Sequence, residues 1–515
     1  MDKRLLITSH VLLALLVLPT SAEETAAPSA TDALASYIAT AREAWEVPGV
    51  AVGIVKDGKV LMSRGFGTLA VDDERPVDGE TLFAIASNTK AFTAAALAVL
   101  VDEGKLSWDD PVRKHLPYFE LYDRYVTDEM TVRDLLCHRS GLGTFSGDLL
   151  WYGTPYSAEE VVRRARHLQP AGPFRASYGY SNLMYLAAGE VVAAVSGKSW
   201  QAFVDERFLQ PLGMKRSQLS VTQLDGLQNV ATPHKPRLEE VVKVPWINWD
   251  GMAAAGGIIS CTDDMNQWLL AQLKHGVHDG QRIFSDKNCH EMRKPHTPMR
   301  VSADYQRQYP STHFRAYGLG WGLRDYKGHL IISHGGGYDG MYSRVVLVPE
   351  LDLGVVVLTN SMTSLPTAIT NRVLDQFLGG EPRDWSGEML PAFRQDRENF
   401  YQRIASQVTP VTTDSQPSKP LEAFVGSYQD AMYGEATIAL EEDRLVLRLV
   451  PFPALVADLE HLHYDTFVVR WRNQFAWFEE GTCTFSLDDA GRVTSFVMQV
   501  PNDDLWFHEL DFRRE

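Results

Sequence analysis

Apolar residues recur along the chain with two periods, and the change of period separates helices from strands. Near the start, four apolar residues fall on one face of a helical repeat, which predicts an amphipathic helix. They are Leu34, Tyr37, Ile38 and Ala41. Two runs of β-forming residues follow, at 50–55 and 60–65. Asp57-Gly58 lies between them, and because both positions tolerate a positive φ, the pair predicts a β-hairpin.

A second pair of β-rich runs lies far downstream, at residues 343–348 and 354–359, on either side of a turn with proline and acidic residues. A helical pattern follows at 365–378. Pairing the two hairpins gives one antiparallel sheet with the first and last helices packed on a face. The mostly helical or irregular stretch 82–330 is then a large insertion. The sequence therefore predicts an α+β domain over residues 32–400.

The composition changes after this domain. Residues 408–420 are rich in proline, serine and threonine and have no apolar period, which is typical of a linker. Beyond them, short β-rich runs alternate with Asp/Gly turns, which predicts a small all-β barrel over residues 421–515. The runs are 437–440, 444–449, 466–471, 475–478, 483–487 and 493–500. Because few contacts should cross such a boundary, the barrel is expected to fold on its own.

The first candidate for chemistry is an alanine-rich helix that is predicted to start near residue 83 and to end at Gly104. It is apolar all round, so it must be buried. Ser87 and Lys90 lie three residues apart on its first turn and share a face. Burial favours the neutral amine of a lysine, which can act as a base. The alternative is a capping serine beside a surface lysine, and the spacing alone does not exclude it.

Two further segments carry polar residues that suit a cleft. Tyr180 and Asn182 lie in a polar turn that opens another apolar helix. A phenol can relay a proton and an amide can orient a substrate, although Asn182 alone also fits a helix N-cap. His334 is followed by three glycines just before the second hairpin. Glycines let a ligand approach a strand closely, and a strand N–H can point at an oxyanion.

Ser-x-x-Lys at 87–90, Tyr-Ser-Asn at 180–182 and His-Gly-Gly at 334–336, in this order, resemble the serine β-lactamase and penicillin-binding protein superfamily. The resemblance is greatest to the branch of class C β-lactamases, D-aminopeptidases and family VIII carboxylesterases (peptidase family S12). It spans residues 33–378, and the C-terminal segment resembles the lipocalin-like domain of some of these peptidases. Supporting stretches lie at 131–142, 211–214, 255–260 and 318–322.

The resemblance implies a role for each catalytic candidate. Ser87 is expected to be the nucleophile and Lys90 its base. Tyr180 is expected to relay a proton to the leaving group and to activate the deacylating water. Asn182 is expected to contact the acyl amide of the substrate. No cofactor and no metal is implied.

The same resemblance places His334, Gly336 and Gly337 on the substrate-binding strand, with the backbone N–H groups of Gly337 and Ser87 as the oxyanion hole. Many β-lactamases and transpeptidases have a lysine where this chain has His334. A histidine is mostly neutral at neutral pH and is a poorer partner for a substrate carboxylate. The D-aminopeptidases and esterases of the superfamily share this His-x-Gly pattern.

The sequence therefore predicts a serine hydrolase that acts through a covalent acyl-enzyme on peptides, D-residue peptides among them, or on small esters. One alternative is a β-lactamase or D-Ala-D-Ala carboxypeptidase, which a carboxylate-binding cation near His334 would favour. The alternative outside enzymes is a binding or sensor protein that is acylated without turnover, and an intact Tyr180 argues against it.

Charge and the N-terminus bear on partners and location. The chain has 515 residues, of which 45% are hydrophobic and 22% charged, and its net charge is −17. This charge disfavours nucleic acid and anionic lipid as partners and leaves a small-molecule or peptide substrate. Residues 1–22 combine a basic start, a short apolar stretch and small residues at the end, the pattern of a signal peptide. A periplasmic or secreted protein is expected, with no membrane contact beyond that segment.

The four cysteines, and the histidines other than His334 that stand out in the sequence, indicate no cofactor. The cysteines fit neither a disulfide framework nor a zinc site and are expected to be small buried side chains. They are Cys137, Cys261, Cys289 and Cys483. His138 is expected to be structural, and His461 and His463 lack a third metal ligand nearby. The barrel has more aromatic residues than a domain of its size can bury, so it should cover the catalytic cleft or form a homo-oligomer.

Overall fold

The computed structural model describes residues 30–412 and 414–515. The predicted signal peptide, residues 1–22, lies outside the described residues and stays a prediction. Within the described ranges, no helix combines the length and the apolar composition that a membrane crossing needs.

The N-terminal domain is built on one large antiparallel sheet. Its strands are β1 Gly49–Lys56, β2 Lys59–Ala70, β3 Asp73–Pro76, β4 Phe83–Ala84, β5 His234–Pro236, β6 Val241–Lys243, β7 Ile259–Ser260, β8 Val277–His278, β9 Gln281–Arg282, β10 Thr297–Met299, β11 Arg315–Tyr317, β12 Gly322–Tyr326, β13 His329–Tyr338, β14 Met341–Val348 and β15 Leu353–Thr359. Nine of them form the sheet, in the order β10-β11-β12-β13-β14-β15-β1-β2-β3. The predicted hairpins are β1–β2 and β14–β15, and β1 pairs with β15 from Val50↔Thr359 to Lys56↔Leu353. The α+β class is confirmed.

Helices cover the sheet and fill the insertion. They are α1 Ala30–Ala44, α2 Thr89–Asp102, α3 Val112–His115, α4 Arg124–Glu129, α5 Val132–Leu136, α6 Ala158–Arg164, α7 Asn182–Ser196, α8 Trp200–Val204, α9 Ala253–Gly256, α10 Thr262–Leu273, α11 Asp286–Met292, α12 Ala303–Gln308, α13 Leu365–Leu378 and α14 Trp385–Gln407. The first and last predicted helices, α1 and α13, share one apolar core with the sheet, in which Ile38 and Ile369 are fully buried. Helices α2 to α12 belong to the insertion.

Helix α2 is buried along most of its length, as predicted, but it starts at Thr89 and not near residue 83. The residues before it form β4, which pairs with β7, and a 3₁₀ turn over Ala86–Asn88. A short apolar run fits a strand as well as a helix, which is why the pattern placed the start too early. The end agrees with the prediction, since Gly104 follows α2 with φ 67°.

The C-terminal domain is a closed antiparallel barrel, and the predicted all-β barrel is confirmed. Its strands are β16 Gly426–Asp430, β17 Gly434–Glu441, β18 Arg444–Leu449, β19 Val456–His463, β20 Thr466–Trp471, β21 Gly481–Leu487, β22 Val493–Gln499 and β23 Phe512–Arg514. Each strand pairs with the next, and β16 pairs with β23. The predicted strand at 475–478 is wrong, because this segment is the loop between β20 and β21. Its Phe475 and Phe478 rings stack at 4.7 Å instead.

The barrel packs on the insertion, so the expectation that few contacts cross the boundary is wrong. One continuous apolar core contains residues of both domains, and the ring of Phe452 meets Tyr152 edge-on at 5.6 Å. Lys235 Nζ donates to the carbonyl oxygens of Phe475 (3.0 Å) and Phe478 (3.3 Å) in the barrel. Some aromatic side chains of the barrel, such as Phe478 and Trp477, thus pack on the neighbouring domain. Others, such as Tyr428, are buried among the rings of the barrel itself.

Candidate active site

Ser87 lies in a tight turn between β4 and α2. The preceding residue, Ala86, has φ 47°, in the left-handed region that an alanine rarely adopts. Side chains hold the turn in place. Ser343 Oγ donates to the carbonyl oxygen of Ile85 (2.7 Å), and Asn88 Nδ2 donates to Ser343 Oγ (2.8 Å). A strained residue fixed in this way gives Ser87 a defined position at the cavity.

The Lys90 side chain is fully buried beside Ser87. Its Nζ lies 3.0 Å from Ser87 Oγ. The other two neighbours are Asn182 Oδ1 (2.7 Å) and the carbonyl oxygen of Ala255 (2.8 Å). Burial lowers the pKa of Lys90 to about 7, against the opposing effect of Asp148. Since both other neighbours only accept hydrogen bonds, a neutral Lys90 directs its two N–H bonds to them and its lone pair to Ser87.

Asn182 is the first residue of α7 and orients Lys90. The N-cap of α7 is Ser181, whose Oγ accepts from the N–H of Met184 (3.4 Å), so the N-cap interpretation of Asn182 is wrong. Asn182 Nδ2 donates to Asp148 Oδ2 at 2.6 Å, which leaves the amide oxygen for Lys90. Burial raises the pKa of Asp148 to about 8. No sequence motif marks Asp148, although it supports the residue that orients Lys90.

The phenol ring of Tyr180 lies beside the same amine, with its centroid 4.9 Å from Lys90 Nζ. Burial raises the pKa of Tyr180 well above its usual value, and a hydrogen bond with Ser87 acts in the opposite direction. The phenol is therefore protonated at neutral pH. His138 packs against it at a ring distance of 4.2 Å, and its Nδ1 accepts from the N–H of Ser181 (3.1 Å). In this position His138 supports the Tyr180 ring.

His334 is buried on β13 and is neutral. Its Nδ1 lies 2.6 Å from the carbonyl oxygen of Gly335, and its Nε2 lies 2.8 Å from the hydroxyl of Tyr317. A carbonyl only accepts, so Nδ1 carries the proton and Nε2 accepts from Tyr317. Burial, followed by the positive charges of Lys90 and Arg344, lowers the pKa of His334 to about 3. The neutral histidine expected from the sequence agrees with this environment.

The glycines after His334 bring β13 close to the turn that carries Ser87. A Cβ atom on Gly336 would lie 2.2 Å from the carbonyl oxygen of Ile85, so only glycine fits there. On the other side, β12 stops pairing at Gly322↔Ser333. In the described part of the chain, residues 334–338 therefore have a strand partner on one side only. Their other edge is free to bind an extended substrate.

The site opens into a cavity of about 610 Å³ that extends from Ser87 around the free edge of β13. The barrel forms part of its wall with Trp477, Asp504 and Leu505. Burial, and then the neighbouring Asp503, raises the pKa of Asp504 to about 7. Among the described residues, no cation pairs with Asp504. The barrel thus contributes a titratable carboxyl group to the cavity.

Three arginines line another part of the same cavity: Arg315, Arg324 and Arg344. Arg315 and Arg324 are cross-strand neighbours, and Arg344 lies opposite Gly335. Because side chains alternate along a strand, Arg344 and His334 point to opposite faces of the sheet. In residues 30–412 and 414–515, none of the three forms an ion pair, and the Nε atoms of Arg324 and Arg344 have no hydrogen-bond partner.

The structure brings the residues singled out in the sequence together. Lys90 lies within hydrogen-bond distance of Ser87. The remaining candidates line the cavity together with Ser87: Tyr180, Asn182, His334, Gly336 and Gly337. Sequence reasoning missed residues that reach the site only through tertiary packing. They are Asp148, Tyr317, Ser343, Trp477 and Asp504. The aromatic surplus of the barrel was the one signal that pointed toward Trp477.

Family models match both domains. A model described as Beta-lactamase matches residues 35–379, and a domain of unknown function (DUF3471) matches residues 411–514. The second match places the barrel in a family without an assigned activity. The lipocalin-like label for the barrel stays a prediction.

Individual proteins are similar over most of the chain. The unguisins hydrolase of Aspergillus campestris is 30% identical over 430 residues, which are 78% of this chain and 76% of that protein. The octameric penicillin-binding protein homologue from Pyrococcus abyssi has a TM-score of 0.61 at 23% identity, over 94% of this chain and 100% of that chain. A D-amino acid amidase from Ochrobactrum anthropi has a TM-score of 0.55 at 24% identity, over 72% and 99%. At these identities, the two solved structures show the fold alone.

Proposed function

The chain belongs to the beta-lactamase family and is a serine hydrolase, and from that premise we propose that Ser87 forms its acyl-enzyme. We further propose an exported enzyme that acts on peptides, D-residue peptides among them, or on small esters. The observation that carries the proposal is Lys90, whose Nζ lies 3.0 Å from Ser87 Oγ and whose pKa is lowered to about 7 by burial. A lysine at the surface would stay protonated and could not accept the serine proton.

Acylation begins as Ser87 Oγ attacks the substrate carbonyl carbon and its proton passes to the neutral Nζ of Lys90. The backbone N–H groups of Ser87 and Gly337 stabilise the negative charge that develops on the carbonyl oxygen. When the bond to the leaving group breaks, Tyr180 donates its phenol proton to the departing atom and receives the proton from Lys90. The leaving group departs neutral, and Lys90 returns to its starting state.

Deacylation uses the same groups in the reverse direction. Water attacks the acyl carbon, and its proton passes through the Tyr180 phenol to Lys90. Lys90 then returns a proton to Ser87 Oγ as the acyl bond breaks. Because the pKa of Tyr180 is raised, the phenol accepts one proton as it gives up another. Turnover of substrate distinguishes this enzyme from a sensor that stops at the acyl stage.

The charges around the cavity favour a substrate with an amine on its acyl side. His334 is neutral, so it offers no cation to a substrate carboxylate. Asp504 offers a carboxyl group with no cationic partner among the described residues. The positive charge of a substrate ammonium group would favour the ionised form of this carboxyl group and pair with it. The D-amino acid amidase with the same fold fits this substrate class.

A second candidate function is a D-Ala-D-Ala carboxypeptidase or β-lactamase, and the arginines favour it. Arg315, Arg324 and Arg344 line the cavity, and guanidinium groups that form no ion pair with any described residue suit a substrate carboxylate. The charge of Arg344 reaches His334 from the opposite face of the sheet. A carboxylate on the leaving group could therefore bind around the strand edge.

A substrate panel decides between the two candidates. D-alanine p-nitroanilide and p-nitrophenyl acetate should be hydrolysed faster than a D-Ala-D-Ala peptide or nitrocefin, with Ser87→Ala as the blank. His334→Lys should shift the balance toward the carboxylate-bearing substrates by about 1–3 kcal/mol. If the peptide or nitrocefin is the best substrate and Arg344→Gln slows it selectively, the second candidate is correct.

Export has a separate test. The proposal rests on the signal-peptide pattern of residues 1–22. Protein recovered from the periplasm or medium of an expressing bacterium should have an N-terminus close after Ala22. Recovery from the cytoplasm with residues 1–22 intact would contradict export and leave the catalytic proposal untouched.

A further inference from the structure

Away from the cavity, two histidines and an aspartate converge between the end of α10 and the start of α11. One ligand-type atom of each lies within 4.8 Å of the others; the residues are His275, Asp286 and His290. His275 Nδ1 is 2.5 Å and His290 Nε2 is 3.4 Å from Asp286 Oδ1. Zinc bonds of about 2.0–2.2 Å in tetrahedral geometry place neighbouring ligand atoms about 3.3 Å apart, which matches the separation of His290 and Asp286. His275 Nδ1 and Asp286 Oδ1 lie at hydrogen-bond distance and would have to separate by about 0.8 Å to bind the same ion.

We propose that His275, Asp286 and His290 bind a divalent cation of the zinc type. Imidazole nitrogens together with one carboxylate suit Zn²⁺ better than Ca²⁺ or Mg²⁺, which prefer oxygen ligands. Three protein ligands leave a coordination position for water. In the sequence, the histidine pair that suggested a metal site was His461 and His463; His275 lies in the turn after α10, 11 residues before Asp286, so no short spacing joins the three.

The backbone already holds the three side chains in position. Asp286 and His290 are four residues apart on α11 and share a face. The N-cap of α11, Ser285, is fixed by Asp102 of α2, whose Oδ2 accepts from the Ser285 N–H at 2.7 Å. His275 adopts φ 53°, a left-handed conformation that ends α10 and directs its side chain back to α11. Binding a cation therefore requires only small side-chain movements.

Two nearby cations, Arg282 and Arg293, oppose binding, since the charge of each interacts with Asp286. Arg282 lies 3.4 Å from the carbonyl oxygen of His275 through its Nη1 atom, and its charge is felt at Asp286. Arg282 is exposed, so solvent and salt screen its repulsion. The Nη2 atom of Arg293 is turned to Gln272, where it donates to the backbone oxygen (2.7 Å) and to Oε1 (2.9 Å).

The cation would join two parts of the domain. Helix α10 packs on β1 and β15, and α11 packs on α2, which carries Lys90. The cluster lies near the far end of α2, which extends about 18 Å from Lys90 to Asp102 at the rise of a helix. The cation is therefore expected to stabilise the fold and not to take part in catalysis.

Titration of the chelator-treated full-length protein with zinc chloride tests the site. Calorimetry should show one zinc per chain, and His275→Ala and His290→Ala should each weaken binding at least tenfold. Lys287→Ala is the matched control, because Lys287 is exposed on the same helix and is not a ligand. Zinc should raise the Tm of the wild type and of Lys287→Ala by several degrees, but not that of His290→Ala.

Equal ester hydrolysis by His290→Ala and the wild type, both without zinc, will show that the variant is folded. The proposal is overturned if the wild type binds no zinc at tens of micromolar. It is also overturned if His290→Ala binds zinc as tightly as the wild type, since the ion would then lie elsewhere. Neither outcome depends on the proposed substrate.

Discussion

Asp504→Asn should selectively impair hydrolysis of substrates with a free amine. The change keeps the shape of the side chain and removes the carboxylate that the barrel contributes to the cavity. A hydrogen bond between an ammonium and a carboxylate contributes about 1.5–3 kcal/mol. At one factor of ten per 1.4 kcal/mol, kcat/KM should fall about ten- to 150-fold.

The assay compares D-alanine p-nitroanilide with its N-acetylated form in the wild type and the variant. Only the free amine should lose rate, so the ratio of the two kcat/KM values isolates Asp504 from the shared chemistry at Ser87. Asp503→Asn is the control: Asp503 is exposed and lies 3.5 Å from Arg403. At pH 8, where Asp504 is ionised with or without the charge of Asp503, this change should leave the ratio almost unchanged.

The ratio should also depend on pH. Burial raises the pKa of Asp504 to about 7, so the carboxyl group is protonated below that pH and no longer attracts an ammonium. A substrate α-amine loses its own proton near pH 8. The ratio should therefore be highest between about pH 7 and 8 and fall on both sides. Equal losses for both substrates in Asp504→Asn, or a flat ratio, would refute the reasoning.

Three other perturbations test separate parts of the site. The kcat/KM for a neutral ester should rise with pH through about 7, because the base must be neutral and burial lowers the pKa of Lys90 to that value. A flat pH profile would contradict the assignment of Lys90 as the base. Lys90→Ala should lower kcat by on the order of 10³-fold. Gly336→Ala should abolish activity and lower the free energy of unfolding in denaturant by about 1–3 kcal/mol, because its Cβ would lie 2.2 Å from a backbone oxygen. Gly335→Ala is the control: its Cβ would lie 3.9 Å from its nearest neighbours, so the stability of the wild type should be kept. A chain ending at Gln407 should have a lower Tm and lose the amine preference, because the barrel shares a core with the insertion; an unchanged Tm and preference would show that the barrel is dispensable.

The sequence was most informative where chemistry is carried by short spacings. Ser87 and Lys90 are three residues apart, so any helical or 3₁₀ turn brings them together. The two hairpins carry their own turn residues and alternating patterns, which made the sheet predictable. The start of α2 was less predictable, because the apolar residues before it serve equally well in β4.

Residues that depend on long-range packing could not be found in this way. Asp148 starts a short 3₁₀ helix, Asp148–Leu150, and becomes important only because Asn182 donates to it at 2.6 Å. Asp504 enters the cavity only because the barrel docks on the insertion, and the composition of the linker had indicated independence. Of the aromatic residues counted as a surplus, Phe478 and Trp477 meet the neighbouring domain, while Tyr428 is buried within the barrel. Self-association through the barrel stays a prediction.

The central claim, a covalent acyl-enzyme on Ser87, is tested most directly by labelling with a fluorophosphonate and locating the adduct by peptide mass spectrometry. The account predicts one phosphonyl group on Ser87, complete loss of hydrolysis in proportion to labelling, and no label in Ser87→Ala. Lys90→Ala should be labelled much more slowly, because the amine 3.0 Å from the serine oxygen is its base. An adduct on another residue, or full hydrolysis by Ser87→Ala, would contradict the account.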